Sequence, residues 1–367
     1  MYADHLVRPW FDRLLEELPT GPLVDVHTHL GGHDSVTATY DELVVALDTA
    51  RARALVFPLS EADGYRRANA SCLAAARRSG GRLHALARVV PDEVDALPAL
   101  LDEGARGIKL HLSSDGIDLA DPRLEPAFRL ADERRLVVLV LSGPEVSSVA
   151  DDVLRTCDRW PHVRMVLAHC GLSDLGHLHR HVADQPYLFL DTSWWTPAHL
   201  MAVFRLVPPG HVLAASDLPY STPVSALMST ARCAWQAGLD LAQVASVLGG
   251  QAARLLDGEE PLDLGPPPDR EARDVGPFLE MASSNLLAAL EAMQRGLEPE
   301  VPLTVARHAC DVPGDDPDSP VLASVLRLLD LYDEHREHLP RRNGFTPGWD
   351  LVSAAAVVAR TPAAPLP

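Results

Sequence analysis

The chain has 367 residues, 47% of them hydrophobic, with a formal net charge of −19 and a pI near 5.2. The length suits a barrel of roughly 250 residues plus an appendage, and the acidity argues against a nucleic acid or an anionic membrane as partner. Five scattered cysteines, Cys72, Cys157, Cys170, Cys233 and Cys310, lack CxxC spacing and read as free thiols of a reducing compartment, and no run of about 18 apolar residues is available to span a bilayer.

The first segment, residues 1–22, carries acids and no long apolar run. It is expected to be helical and not to be a signal peptide, so the protein is expected to be soluble and cytoplasmic. Eight short apolar runs follow: LVDVHTHL from 23, ALVFPL from 54, HALARVV from 84, GIKLHL from 107, VVLVLSG from 137, VRMVLAHCG from 163, LFLDTSWW from 188 and HVLAASDLPY from 211. Each is rich in Val, Leu or Ile, as a strand covered on both faces should be. Helix-length segments with apolar residues three and four apart separate them. Three of these carry a capping residue before proline: Asp121-Pro122, Thr196-Pro197 and Thr222-Pro223. Eight strand–helix alternations over 23–256 predict an α/β fold, a closed (β/α)₈ TIM barrel, with a doubly wound open sheet as the alternative.

Residues 257–276 are rich in Pro, Gly and charge and read as a linker. Beyond them only helical patterns appear, over 277–296, 319–339 and 348–360. The first is expected to place Phe278, Ala282, Leu286, Leu290 and Met293 on one stripe. This C-terminal all-helical extension, 277–360, is too small for a core of its own. It is expected to pack on the barrel or to form a homodimer. The TPAAPLP tail, 361–367, is expected to be disordered.

The strongest chemical signal is DVHTHLGG at 25–32. Alternation along a strand puts His27 and His29 on one face, and at the C-terminal end of a barrel strand two imidazoles can chelate one metal. For an isolated HxH, two hydrogen-bonded core histidines are an equal alternative. His169 at the end of the sixth run and Asp217 at the end of the eighth favour the metal, because buried polar groups without partners are costly. Lys109 and His111 share a face of the fourth run. Lys109 is the single lysine among 32 basic residues. HLHRH at 177–181 lies in a segment expected to be an outer helix, where polar residues form a solvated face.

This set, HxH on the first strand, GxKxH on the fourth, AHxG on the sixth and SDxPY on the eighth, resembles the amidohydrolase superfamily. The nearest branch is the amidohydrolase-related group of metal-dependent hydrolases and non-oxidative decarboxylases. The resemblance covers roughly residues 22–256 and includes the closing phrase GGQAARLL, with Gln251 where the group usually has Asn. It implies that His27 and His29 are metal ligands and that Asp217 is a ligand or general base. It implies that His169 is a second ligand or an acid stabilising the reacting oxygen. Zinc is the expected ion, with manganese or iron as alternatives. One departure stands out: where the group has a histidine ligand on the fifth strand, this chain has Leu141. His111 is the substitute the sequence offers first, Ser142 the second. In two-metal members the strand 4 lysine is carboxylated. Without the fifth-strand histidine, an ion pair of Lys109 with Asp25 or Asp191 is the preferred reading.

Trp194, Trp195 and Tyr220 could line a substrate pocket or pack under the C-terminal helices. Lys109, Arg88, Glu61 and His33 are further candidates for the pocket that receives a small-molecule substrate. Three functions remain open: hydrolysis of a C–N or C–O bond, decarboxylation of an aromatic or unsaturated acid, and a degenerate barrel kept as a binding subunit.

Overall fold

The apolar runs fold as parallel strands because each buries both faces. A computed structural model of the chain describes residues 3–33, 36–143, 146–194, 196–269, 275–340 and 346–367. The strands are β1 (Val24–His33), β2 (Arg53–Pro58), β3 (Leu83–Ala85 continued by Ala87–Arg88), β4 (Gly107–Leu110), β5 (Val137–Val140), β6 (Arg164–Leu167), β7 (Leu188–Asp191) and β8 (Val212–Leu213). Parallel ladders join each strand to the next in order. The segment that prolongs β8 hydrogen-bonds to β1: Val26 N donates to Ala214 O at 3.0 Å, Asp217 N to His27 O at 2.9 Å and His29 N to Leu218 O at 2.8 Å. The eight strands therefore form a closed ring, a TIM barrel, and the open-sheet alternative fails.

Val24, Leu55, Phe57, Leu86, Leu139, Val166, Phe189 and Leu213 fill the barrel interior, with Leu255 of the helix Gln251–Leu256 in the same cluster. The intervening Ala54, Val56, Ile108, Val138, Val140 and Met165 face the surrounding helices. Val24 and Val26 both belong to the interior, so strict alternation would turn His27 and His29 outward. The β1–β2 register shifts between Asp25 and Thr28, and that irregularity brings both imidazoles to the inner side.

Thr222 caps the helix Pro223–Ala237 through Ser225 N, and Asp121 accepts from Arg123 N, whereas Thr196 makes no side-chain cap bond. The extension comprises helices Pro277–Gln294, Glu300–Ala309, Ser319–His335 and Trp349–Arg360. Its apolar side chains are continuous with those of the barrel helices. Trp349–Arg360 packs on Pro223–Ala237 and on the first helix, Asp4–Glu17, and Trp10 Nε1 donates to Ser324 Oγ at 2.7 Å. The extension thus packs on the barrel. Phe278 does not join the expected stripe. It is exposed, and Leu279 is buried instead, beside Ala282, Leu286, Leu290 and Met293.

The tail is also unlike its expectation. Arg232, fully buried, donates Nε to Thr361 Oγ1 at 2.9 Å, Nη1 to Pro365 O at 2.8 Å and Nη2 to Thr361 O at 3.2 Å. Ala363 N donates to Gln236 Oε1 at 2.8 Å. A buried guanidinium needs acceptors, and the tail supplies them, so residues 361–367 are pinned rather than disordered.

Gly249 explains part of the closing phrase. A Cβ there would lie 2.3 Å from Pro22 O and 2.6 Å from Val24 N, backbone atoms at the entry to β1. Gln251 clamps the following chain: its Nε2 donates to Gly210 O and Leu262 O, and its Oε1 accepts from Leu262 N. Gly249→Ala is expected to destabilise the fold by about 1–3 kcal/mol through this overlap, read as a lower urea midpoint at unchanged m-value.

Candidate metal centre

The C-terminal ends of the strands deliver their side chains into one cavity of about 480 Å³. Among the described residues, the ligand-type atoms lying within 4.8 Å of one another are those of His27, His29 and Asp217. His27 Nε2 is 3.2 Å and His29 Nε2 3.0 Å from the same oxygen, Asp217 Oδ1. On the far side of its ring, His27 Nδ1 is 2.8 Å from Asp191 Oδ2.

Burial holds His27 below its ordinary pKa, against the pull of Asp217, and lowers His29 to about 4. Burial pushes Asp217 up, but the imidazoles outweigh it and keep the carboxyl well below the usual carboxylate range. The rings are therefore neutral and the carboxylate charged. A neutral His27 carries one ring proton. Given to Asp191, it leaves a bare Nε2 lone pair facing a carboxylate oxygen. His29 differs: its Nε2 can donate to Asp217 Oδ1 at 3.0 Å, and its Nδ1 is then buried without a partner. Nitrogen and oxygen ligands about 2.0–2.2 Å from one ion stand roughly 3.0–3.4 Å apart, the separations seen. The donor set fits a divalent cation. The Asp191–His27 bond is the outer contact that fixes a ligand's tautomer.

Asp191 does more than this. It accepts the backbone N–H groups of His169 and Ser193, both at 3.0 Å, and lies under the Ser193 hydroxyl. Charge-assisted bonds keep it ionised: burial raises its pKa, and His27, His169 and the Ser193 hydroxyl together lower it further than that. The sequence suggested Asp191 only as a partner for Lys109. Asp191→Asn is expected to weaken metal affinity about 10–100-fold, measured by chelator competition, with little change in melting temperature of the metal-free protein.

His169 lies outside the three-residue cluster. Its ring centroid is 5.3 Å from that of His27, and its Nδ1 is 2.8 Å from Ser193 O. His169, Cys170 and Asp217 have φ of 55°, 61° and 59°. Left-handed backbone at non-glycine residues is uncommon, and here it aims site residues into the mouth. No sequence signal announces it.

The structure does not bring His111 into the cluster. The ring lines the cavity, with Nδ1 facing Ser114 N at 3.3 Å. Leu141 lines the cavity, and Ser142 Oγ is buried without a partner. Lys109 makes neither expected ion pair. Its Nζ is fully buried, has no hydrogen-bond partner and lies 4.8 Å from the Phe57 ring centroid. Asp25 is taken by Ser216 and the His27 amide, and Asp191 by His27 and Ser193. Burial first, then Arg88, lowers the Lys109 pKa to about 7. Lys109 is not among the cavity-lining residues.

Arg88 does line the cavity, yet its guanidinium is occupied: Nε and Nη2 grip Asp115 at 2.9 and 2.8 Å, Nη2 also reaches Ser114 Oγ at 2.6 Å and Nη1 Pro58 O at 3.2 Å. Tyr220 and Trp194 flank the cluster, edge-on to His29 and His169 at 6.3 and 6.0 Å between centroids. Trp195 lies outside the described residues. His33 lines the cavity and Glu61 does not. His177 and His181 lie away from it.

The amidohydrolase family profile matches residues 24–258, more than half of the chain. The chain belongs to the amidohydrolase family. That family is one of enzymes, hydrolases and decarboxylases among them. Solved structures agree on the fold. An uncharacterised TIM-barrel protein from Bordetella bronchiseptica is 13% identical with a TM-score of 0.54, over 65% of this chain and 99% of that one. A 2,6-dihydroxybenzoate decarboxylase from Rhizobium is 14% identical, TM-score 0.50, over 65% and 99%. A probable 2-pyrone-4,6-dicarboxylic acid hydrolase from Acinetobacter baumannii is 15% identical, TM-score 0.50, over 65% and 100%. No curated protein matches the chain in sequence. Among the described residues of this amidohydrolase, no helix is long and apolar enough to cross a membrane.

Proposed function

We propose that this chain is a metal-dependent hydrolase that cleaves a C–N or C–O bond of a small carbonyl compound. His27, His29 and Asp217 would hold the ion, for which zinc is the first choice on the nitrogen-rich donor set. Bound there, a divalent ion supplies Lewis acidity, acidifying water and polarising a carbonyl. The chain's own residues supply the rest. Asp217, a carboxylate at neutral pH, accepts the proton of the attacking water and passes it to the leaving group. Asp191 holds His27 in one tautomer. His169, its Nδ1 engaged by Ser193 O, presents the other edge of its ring toward the cavity, where it can stabilise charge on the reacting oxygen. Trp194, Tyr220 and Leu59 exclude bulk water from the reacting atoms.

The observation that carries this reading is the convergence of two buried imidazole nitrogens, of His27 and His29, on one oxygen of Asp217. A second observation favours hydrolysis over decarboxylation. Beyond the ion itself, the cavity offers a substrate carboxylate no free cationic side chain among the described lining residues: the guanidinium there, Arg88, is already paired, and Lys109 lies off the cavity.

Elemental analysis of the purified protein, with amide, lactone and hydroxybenzoate panels, tests the proposal. One divalent ion per chain, lost in His27→Ala, with hydrolysis and no carbon dioxide release, is the expected result. Carbon dioxide release from a hydroxybenzoate would replace the reading with decarboxylation. Absence of stoichiometric metal, with no melting shift on adding Zn²⁺ or Mn²⁺, would leave a binding subunit.

A further inference from the structure

The cavity is not built by the barrel alone. Gln294, Trp349, Asp350 and Ser353 of the extension line it, beyond the residues that match the family, together with Ser225 and Ser229 of Pro223–Ala237. Ser225 and Ser229 are one turn apart on one helix, and Asp350 and Ser353 are one turn apart on another packed against it. We propose that these two helices give the cavity a second subsite for a neutral hydrogen-bonding group of the substrate, a hydroxyl or a carboxamide, and that it rejects a carboxylate. The inference rests on the hydrolase reading for which end of the substrate reacts.

Three observations carry it. Ser225 lines the cavity, is 7% exposed, and its buried Oγ has no hydrogen-bond partner, so a ligand group reaching it would supply the bond it lacks. Ser353 and Gln294 add a hydroxyl and a carboxamide, each able to donate and accept. The ionisable group here is Asp350, 6% exposed, beside the buried Asp4. Burial first, then Asp4, raises Asp350 to about 7. Asp4 itself accepts the Thr222 hydroxyl at 2.6 Å. Two carboxyls repelling each other's charge make poor company for an incoming carboxylate. A carboxyl about half protonated near neutrality gains less from an ammonium than a full carboxylate would. It can both donate to and accept from a neutral polar group.

The test uses five six-carbon amides that differ at one end: hexanamide, 6-hydroxyhexanamide, adipamide, adipamate and 6-aminohexanamide. Affinity for the full chain is measured by calorimetry with and without added zinc, and hydrolysis of each amide is followed in parallel. The hydroxyl and carboxamide ends are expected to bind about five- to tenfold tighter than the methyl end, with adipamate weakest. Ser225→Ala and Ser353→Ala should each remove most of that advantage and leave hexanamide affinity and the melting temperature unchanged. Asp350→Asn should relieve the rejection of adipamate. Adipamate or 6-aminohexanamide as the tightest ligand, equal or undetectable affinities, or an unchanged ranking in the serine variants would overturn the subsite. The two readings separate cleanly. The ranking without hydrolysis would retain the subsite and discard the hydrolase; hydrolysis with no ranking would do the reverse.

Discussion

Asp217→Asn is expected to lower kcat/KM by a factor of about 10³ or more. Asparagine keeps the shape of the side chain but loses the charge and the basic oxygen together. The carboxylate stands 3.0 and 3.2 Å from the two histidine nitrogens and carries the negative charge of the three-residue cluster. Its loss removes a ligand and the proton acceptor at once, and an isosteric amide can replace neither. Metal content should fall with activity, and the folded structure should persist, since Asp217 N still donates to His27 O. Measured kcat/KM on the best substrate of the panel, with metal per chain, decides the matter. Wild-type activity in the variant would end the assignment.

The second large effect concerns stability. Asp115→Ala should destabilise the fold by about 3–5 kcal/mol, the loss typical when one partner of a buried ion pair is removed. Arg88 and Asp115 have side chains only 1% and 3% exposed. Asp115 also accepts the Tyr65 hydroxyl at 2.5 Å, and the Arg88 guanidinium lies 4.5 Å from the Tyr65 ring centroid. Removing the carboxylate strands a charge where water cannot reach it. Replacing both residues, with Arg88→Met and Asp115→Leu, should recover much of the loss. Urea midpoints of the single and double variants give the comparison. A single variant as stable as wild type would show that Arg88 swings out into the cavity, and carboxylate ligands would then bind more tightly.

Much of the architecture was legible because it depends on local pattern. Strands buried on both faces must be apolar throughout, and eight such runs at barrel spacing announce the ring. Asp217 and His169 were legible because ligand-type residues at strand ends are rare without a use. The errors have the opposite origin. Lys109 was assigned a carboxylate partner because a buried ammonium needs one, but Asp25 and Asp191 were already engaged by Ser216 and His27. A chain terminus of this kind predicts disorder, and no local pattern shows that the buried Arg232, 129 positions before Thr361, needs its carbonyls. Phe278 was placed on a stripe one position from the buried Leu279.

Sequence by itself determined the barrel, its length and the candidates among which His27, His29 and Asp217 come together, since composition and periodicity act over a few neighbouring residues. Only the tertiary structure decided which way those residues face. Alternation placed His27 and His29 together, but the register shift between Asp25 and Thr28 turned them inward. The same holds for the cavity wall from the extension. Contact between Asp350 and a barrel mouth formed hundreds of residues earlier depends on how helices pack, and no local pattern encodes that.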